Sequence, residues 1–163
     1  MLLLSLFLLI YQANDLPTSL PSAVNFSAVK QGPIKYQSCI PLFSRQITFR
    51  VKNRSDKTLY IYGHGFDGYY PLGSLIRLDR EKNQWLDSEG NTSYRPYSDT
   101  RGFICKGNGG HIDIHVLPPG RSMNFNDLAK ETYLGCRVKR FIYISFSQDE
   151  EPQMIMSEEF TLR

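Results

Sequence analysis

The run His111-Ile112-Asp113-Ile114-His115 places two imidazoles and a carboxylate at a spacing of two. Residues two apart on a β-strand share a face. His111, Asp113 and His115 would therefore stand side by side and offer an ion two nitrogen ligands, and His64 could supply a third for Zn or Cu. The plainer reading is the wet side of an outer strand, with Ile112, Ile114 and Val116 facing the other way, because alternation alone produces that pattern.

Other apparent motifs lose their chemistry on inspection. Gly63-His64-Gly65-Phe66-Asp67-Gly68 matches the letters of a dinucleotide fingerprint. That site needs a helix beginning at the last glycine to hold a pyrophosphate, and Tyr69-Tyr70-Pro71 cannot start one. Lys106-Gly107-Asn108-Gly109-Gly110 lacks the Lys-Ser/Thr ending of a phosphate loop. No Gly-x-Ser-x-Gly elbow occurs, and Cys105 could pair with His111 as thiol and base only if its loop folded back. The sequence therefore points to a non-catalytic chain that needs no cofactor.

Two loops look better suited to contact. Residues 64–70 and 94–103 are rich in Tyr, Arg, Gly, Ser and Asp. Tyrosine offers large, stiff, amphipathic area and arginine a planar fork. Tyr69, Tyr70, Tyr94, Arg95, Tyr97 and Arg101 are the expected anchors for a protein or glycan ligand. Against that stands a structural role, with the same tyrosines folded down to close an open end of the core.

These residues must be carried by strands. Gln46–Lys52 alternates strictly, with Ile47, Phe49 and Val51 on one face; Asn53-Arg54-Ser55-Asp56 turns the chain. Leu59 and Ile61 then oppose Tyr60 and Tyr62 on the next strand. Leu75–Asp79 and Asn83–Leu86 form a hairpin in which Trp85 is expected as a core anchor. His111–Leu117 ends at Pro118-Pro119-Gly120, a turn in which Pro fixes φ and Gly accepts a positive one. Met123 and Phe125 follow, and Asn126–Leu134 is the one stretch that reads as a helical turn. Val138, Ile142, Ile144 and Phe146 share a face, and Phe160 and Leu162 belong to the closing strand. Roughly seven to eight short strands with at most one short helix give an all-β, antiparallel, immunoglobulin-like β-sandwich.

The run Phe49-Arg50-Val51-Lys52-Asn53, the charged turn leading to Trp85, and Leu117-Pro118-Pro119-Gly120 together resemble bacterial secreted immunoglobulin-like domains. In outline they are also similar to the bacterial intracellular proteinase inhibitor domain. The resemblance covers Gln46 to Phe125 and implies the sandwich fold. It implies no inhibitory activity here, since an export leader departs from an intracellular inhibitor.

The chain has 163 residues, a formal net charge of +3 and three cysteines. Its length suits one domain large enough to bury a core unaided. Scattered basic residues argue against a nucleic-acid partner. Met1–Ile10 is apolar but for Ser5, short for a membrane span, and reads as a signal peptide or N-terminal anchor over 1–13. That places the chain in the secreted, periplasmic or cell-envelope space, with membrane contact only through an uncleaved leader. Residues 14–35 read as a flexible linker and 36–163 as the folded domain. Cys105 and Cys136 are the expected disulfide, closing a loop of about 30 residues and contributing roughly 3–4 kcal/mol. Sequons at Asn25, Asn53 and Asn91 imply that those segments tolerate exposure. A remaining alternative is a structural component of an envelope assembly that uses its terminal strand as a pairing edge.

Overall fold

The computed structural model describes residues 20–34, 43–65, 69–92 and 112–163. A helical turn, α1 (Leu20–Ala23), leads into β1 (Val24–Pro33), β2 (Phe43–Asn53), β3 (Leu59–Gly65), β4 (Tyr69–Pro71), β5 (Leu75–Asp79) and β6 (Gln84–Leu86). Then come β7 (Asp113–Leu117), β8 (Ser122–Lys130), a 3-10 turn at Glu131–Tyr133, β9 (Arg137–Ser145), β10 (Gln153–Met156) and β11 (Phe160–Thr161). Every pairing between these strands is antiparallel. The smaller sheet has the order β1-β2-β8; the larger runs β4-β3-β9-β5-β6, with β7 on β3 and both β10 and β11 on β9. The result is an all-β antiparallel sandwich, with eleven strands among the described residues.

Alternation builds the core. Ile47, Phe49 and Val51 of β2 are fully buried, as are Leu59 and Ile61 of β3 and Val138, Ile142 and Ile144 of β9. Phe49 meets Phe125 with ring centroids 5.4 Å apart and Phe26 at 5.7 Å, so the three strands of the smaller sheet each contribute one ring. Each such buried aromatic stabilises the fold by about 2–3 kcal/mol. The C-terminal segment joins the two sheets. Ser157 N donates to Arg140 O at 2.7 Å in the larger sheet and Glu158 N to Phe26 O at 2.8 Å in the smaller. Arg163 N then reaches Gln31 Oε1 at 3.0 Å, so the terminal strand is committed to its own chain along β9 and tied to β1.

Four expectations are corrected. The linker assigned to 14–35 contains β1, a ten-residue strand whose Val24–Pro33 pairs with Asn53–Arg45. A bulge between Ala28 and Lys30 shifts its phase, which breaks the alternation that would have revealed it. The helical turn expected over Asn126–Leu134 is strand to Lys130, and only Glu131–Tyr133 coils. Trp85 is half-buried, with the Lys139 ammonium 4.6 Å from its ring centre, rather than a core anchor. Asn53 is fully buried. Its Nδ2 donates to Lys57 O at 2.7 Å and Leu117 O at 3.0 Å, while Oδ1 accepts from Ser55 N and Oγ at 3.0 and 2.7 Å. Gly120 N donates to Asn53 O at 3.1 Å, so this one residue fastens the turn after β7 to the end of β2.

Candidate functional site

The β3–β4 hairpin splits the first aromatic loop between two faces. Gly63 pairs with Pro71, His64 with Tyr70 and Gly65 with Tyr69. Tyr69 therefore lies on the core side, where it packs against the main hydrophobic cluster and donates its hydroxyl to Ile61 O. A Cβ on Gly63 would sit 2.5 Å from the Tyr69 ring and 2.5 Å from Tyr70 O. That first glycine of the apparent fingerprint thus makes room for a tyrosine. Tyr70 points outward, exposed, with its ring stacked on His64 at 5.8 Å. Of the six expected contact anchors, Tyr69 is part of the core edge and Tyr70 is on the surface. Tyr94, Arg95, Tyr97 and Arg101 lie outside the described residues.

The histidines separate in the same way. Register pairs Leu59 with Leu117, Ile61 with His115 and Gly63 with Asp113. His115 and Asp113 therefore share the face of buried Leu117, and the His115 ring lies 5.3 Å from that of Tyr69. Asp113 is exposed and His115 half-buried, so the face expected on the solvent side turns toward the core from His115 to Leu117; Ile114 and Val116 lie on the other face of the sheet. His64 belongs to the outward set with Tyr60 and Tyr62, on the opposite side of the sheet from His115. The structure does not bring the two together, and His111 lies outside the described residues. Among the described residues no three His, Cys, Asp or Glu side chains gather as a metal-binding group. Cys136 is a free thiol 3.9 Å from Thr132 O, so the expected bridge to Cys105 gains no support; Cys105 and Cys39 are outside the described residues.

The outer face of the larger sheet carries a second hydrophobic cluster. Tyr62, Leu72, Ile76, Phe141 and Tyr143 are buried there, with Tyr60, Trp85, Ile112 and Ile114 packed against them. At its margins four large apolar side chains reach solvent: Val116 (48 % exposed), Tyr70 (43 %), Met156 (40 %) and Met154 (38 %). Pairing of Met154 with Tyr143, Met156 with Phe141 and Val116 with Tyr60 fixes them on that one face. The sequence reading missed this surface. Its trace is the uninterrupted run Phe141-Ile142-Tyr143-Ile144, since a strand apolar at every position is covered on both sides.

Between the sheets lies a polar device of another kind. Arg140, buried on β9, directs its Nε to Asp127 Oδ2 of β8 at 2.5 Å and its Nη2 to Pro71 O at 3.0 Å. Burial pushes its guanidinium below the usual range, and the Asp127 carboxylate opposes that shift. Beside this pair opens a cleft of about 200 Å³ lined by Gly73, Ser74, Leu128, Lys130 and Tyr133 among others. The Tyr133 hydroxyl is the one buried side-chain polar atom without a hydrogen-bond partner among the described residues. Burial raises its pKa above 10.0, against the pull of nearby Arg77.

Comparison adds little beyond this geometry. No protein-family model matches the chain, and no curated protein does. An X-ray structure of a Northeast Structural Genomics Consortium target, SoR45, is similar at 12% identity and a TM-score of 0.48, covering 88% of this chain and 89% of that one. A likeness at that level carries no argument about this protein.

Proposed function

We propose that this chain is an exported, non-catalytic binding module that docks a protein partner on the outer face of its larger sheet. One observation carries the reading: Val116, Tyr70, Met154 and Met156 are all exposed on the face that already holds a buried aromatic cluster. Isolated apolar side chains on a surface are ordinary, but a set sharing one sheet face marks an interaction site. Methionine and tyrosine are enriched in the cores of protein interfaces, where thioethers adapt to a partner's relief and tyrosines supply rigid area. Tyr70, a contact residue expected from the sequence, is one of this exposed set, and His64 backs its ring. The apolar run Met1–Ile10 supports export.

A photo-crosslinking residue at position 156, compared with one at position 27 on the opposite side of the sandwich, tests the proposal. The expected outcome is a discrete protein adduct from position 156 that Met154→Glu abolishes, and none from position 27. Equal adducts from both positions, or adducts indifferent to Met154→Glu, would overturn it.

A further inference from the structure

The smaller sheet presents a face of opposite character. Its inward side chains include Phe26, Ile47, Phe49, Val51 and Phe125. Its outward side chains form cross-strand rows: Asn25–Lys52–Ser122, Ser27–Arg50–Asn124 and Lys30–Thr48–Asn126. Asp127 is the only carboxylate in β1, β2 and β8, and it is turned inward against Arg140. The solvent face thus carries Lys30, Arg50 and Lys52, all exposed, among hydroxyls and amides, and the three strands set no carboxylate beside them. Thr48 Oγ1 donates to Asn126 Oδ1 at 2.8 Å, and Arg50 Nε to Asn124 Oδ1 at 3.1 Å. These bonds use the amide oxygens and leave the Nδ2 groups of Asn124 and Asn126 as donors.

We propose that this face is a docking surface for an anionic polysaccharide. The argument is charge complementarity joined to hydrogen-bonding chemistry. Arg50 and Lys52 stand two residues apart on one strand, about 7 Å along it, and Lys30 stands on the neighbouring strand. A flat acidic glycan offers carboxylates for these cations and hydroxyls for the amide and hydroxyl side chains between them. A nucleic acid would need aromatic platforms for its bases, and none of the row residues is aromatic. A lipid surface would need apolar side chains to insert; among the described side chains of β1, β2 and β8 the one exposed large hydrophobic is Val29, at the bulge. This surface is separate from the apolar face of the larger sheet, so each stands or falls alone.

The test uses the full chain on immobilised polygalacturonate, with neutral dextran, duplex DNA and phosphatidylcholine/phosphatidylglycerol vesicles as comparison probes. The expected result is retention on polygalacturonate that weakens with salt and is absent on dextran. The double variant Arg50→Gln, Lys52→Gln should lose about tenfold or more in affinity at an unchanged urea midpoint, whereas Lys139→Gln, on the other sheet, should bind as before. Absence of retention, equal binding by the double variant, or tighter binding to DNA or vesicles would overturn the proposal.

Discussion

Arg140 and Asp127 link the two sheets through their interior, with Arg140 Nε 2.5 Å from Asp127 Oδ2. The two partners are not equally placed: the Arg140 side chain is 6 % exposed and that of Asp127 27 %. Loss of the carboxylate strands a cation in a low-dielectric interior, while loss of the arginine leaves an acid that water can reach. Asp127→Ala should therefore cost about 3–5 kcal/mol, and Asp127→Asn, which keeps an acceptor, distinctly less. Urea denaturation of both variants checks the order.

Asn53 has all of its side-chain hydrogen-bonding capacity engaged in the interior. Asn53→Ala should cost about 2–3 kcal/mol, because it leaves the buried Leu117 carbonyl without its side-chain donor. Asn53→Asp should cost at least as much, since an acceptor then faces two carbonyls. Thermal unfolding measures both. The same burial predicts that a glycan is never attached at Asn53 of the folded chain.

Tyr133 contributes a pH dependence of known sign. Its folded pKa lies above the unfolded value of 10.0, so below pH 10 both states hold the proton and stability is unaffected. As pH rises past that point the unfolded state ionises first and stability falls. Tyr133→Phe should remove this alkaline loss. It should also be neutral or stabilising by up to about 1 kcal/mol at pH 7, since it deletes a buried hydroxyl without a partner. Urea midpoints at pH 7 and above pH 10 for the two proteins supply the comparison.

Gly63→Ala should destabilise the fold by about 1–3 kcal/mol, because its methyl would sit 2.5 Å from both the Tyr69 ring and Tyr70 O. Double substitution with Tyr69→Ala should recover part of that loss. A cycle of urea midpoints reads out the coupling.

Alternation made most of the strands readable before the structure, from Ile47-Thr48-Phe49 to Val138 and Ile142. It failed at β1, where the bulge at Val29 changes phase. It also failed to say which face of β7 was inside. That strand bears Ile114 and Val116 on one side and His115 and Leu117 on the other, and only pairing with Leu59 and Ile61 decides between them. The Arg140–Asp127 pair was invisible for a similar reason, since its members lie on strands of different sheets. The exposed methionines were passed over because β10 is only four residues long, too short for its polarity to declare a face.

The central claim is that the outer face of the larger sheet holds a protein partner. The most direct measurement is the affinity of the crosslinked partner for the unmodified chain, for Val116→Lys with Met154→Lys, and for Arg50→Gln with Lys52→Gln. The account predicts a loss of at least about tenfold for the first pair, by burial of charge in an apolar interface, and no change for the second. Equal affinity in the first pair, at an unchanged unfolding midpoint, would contradict it.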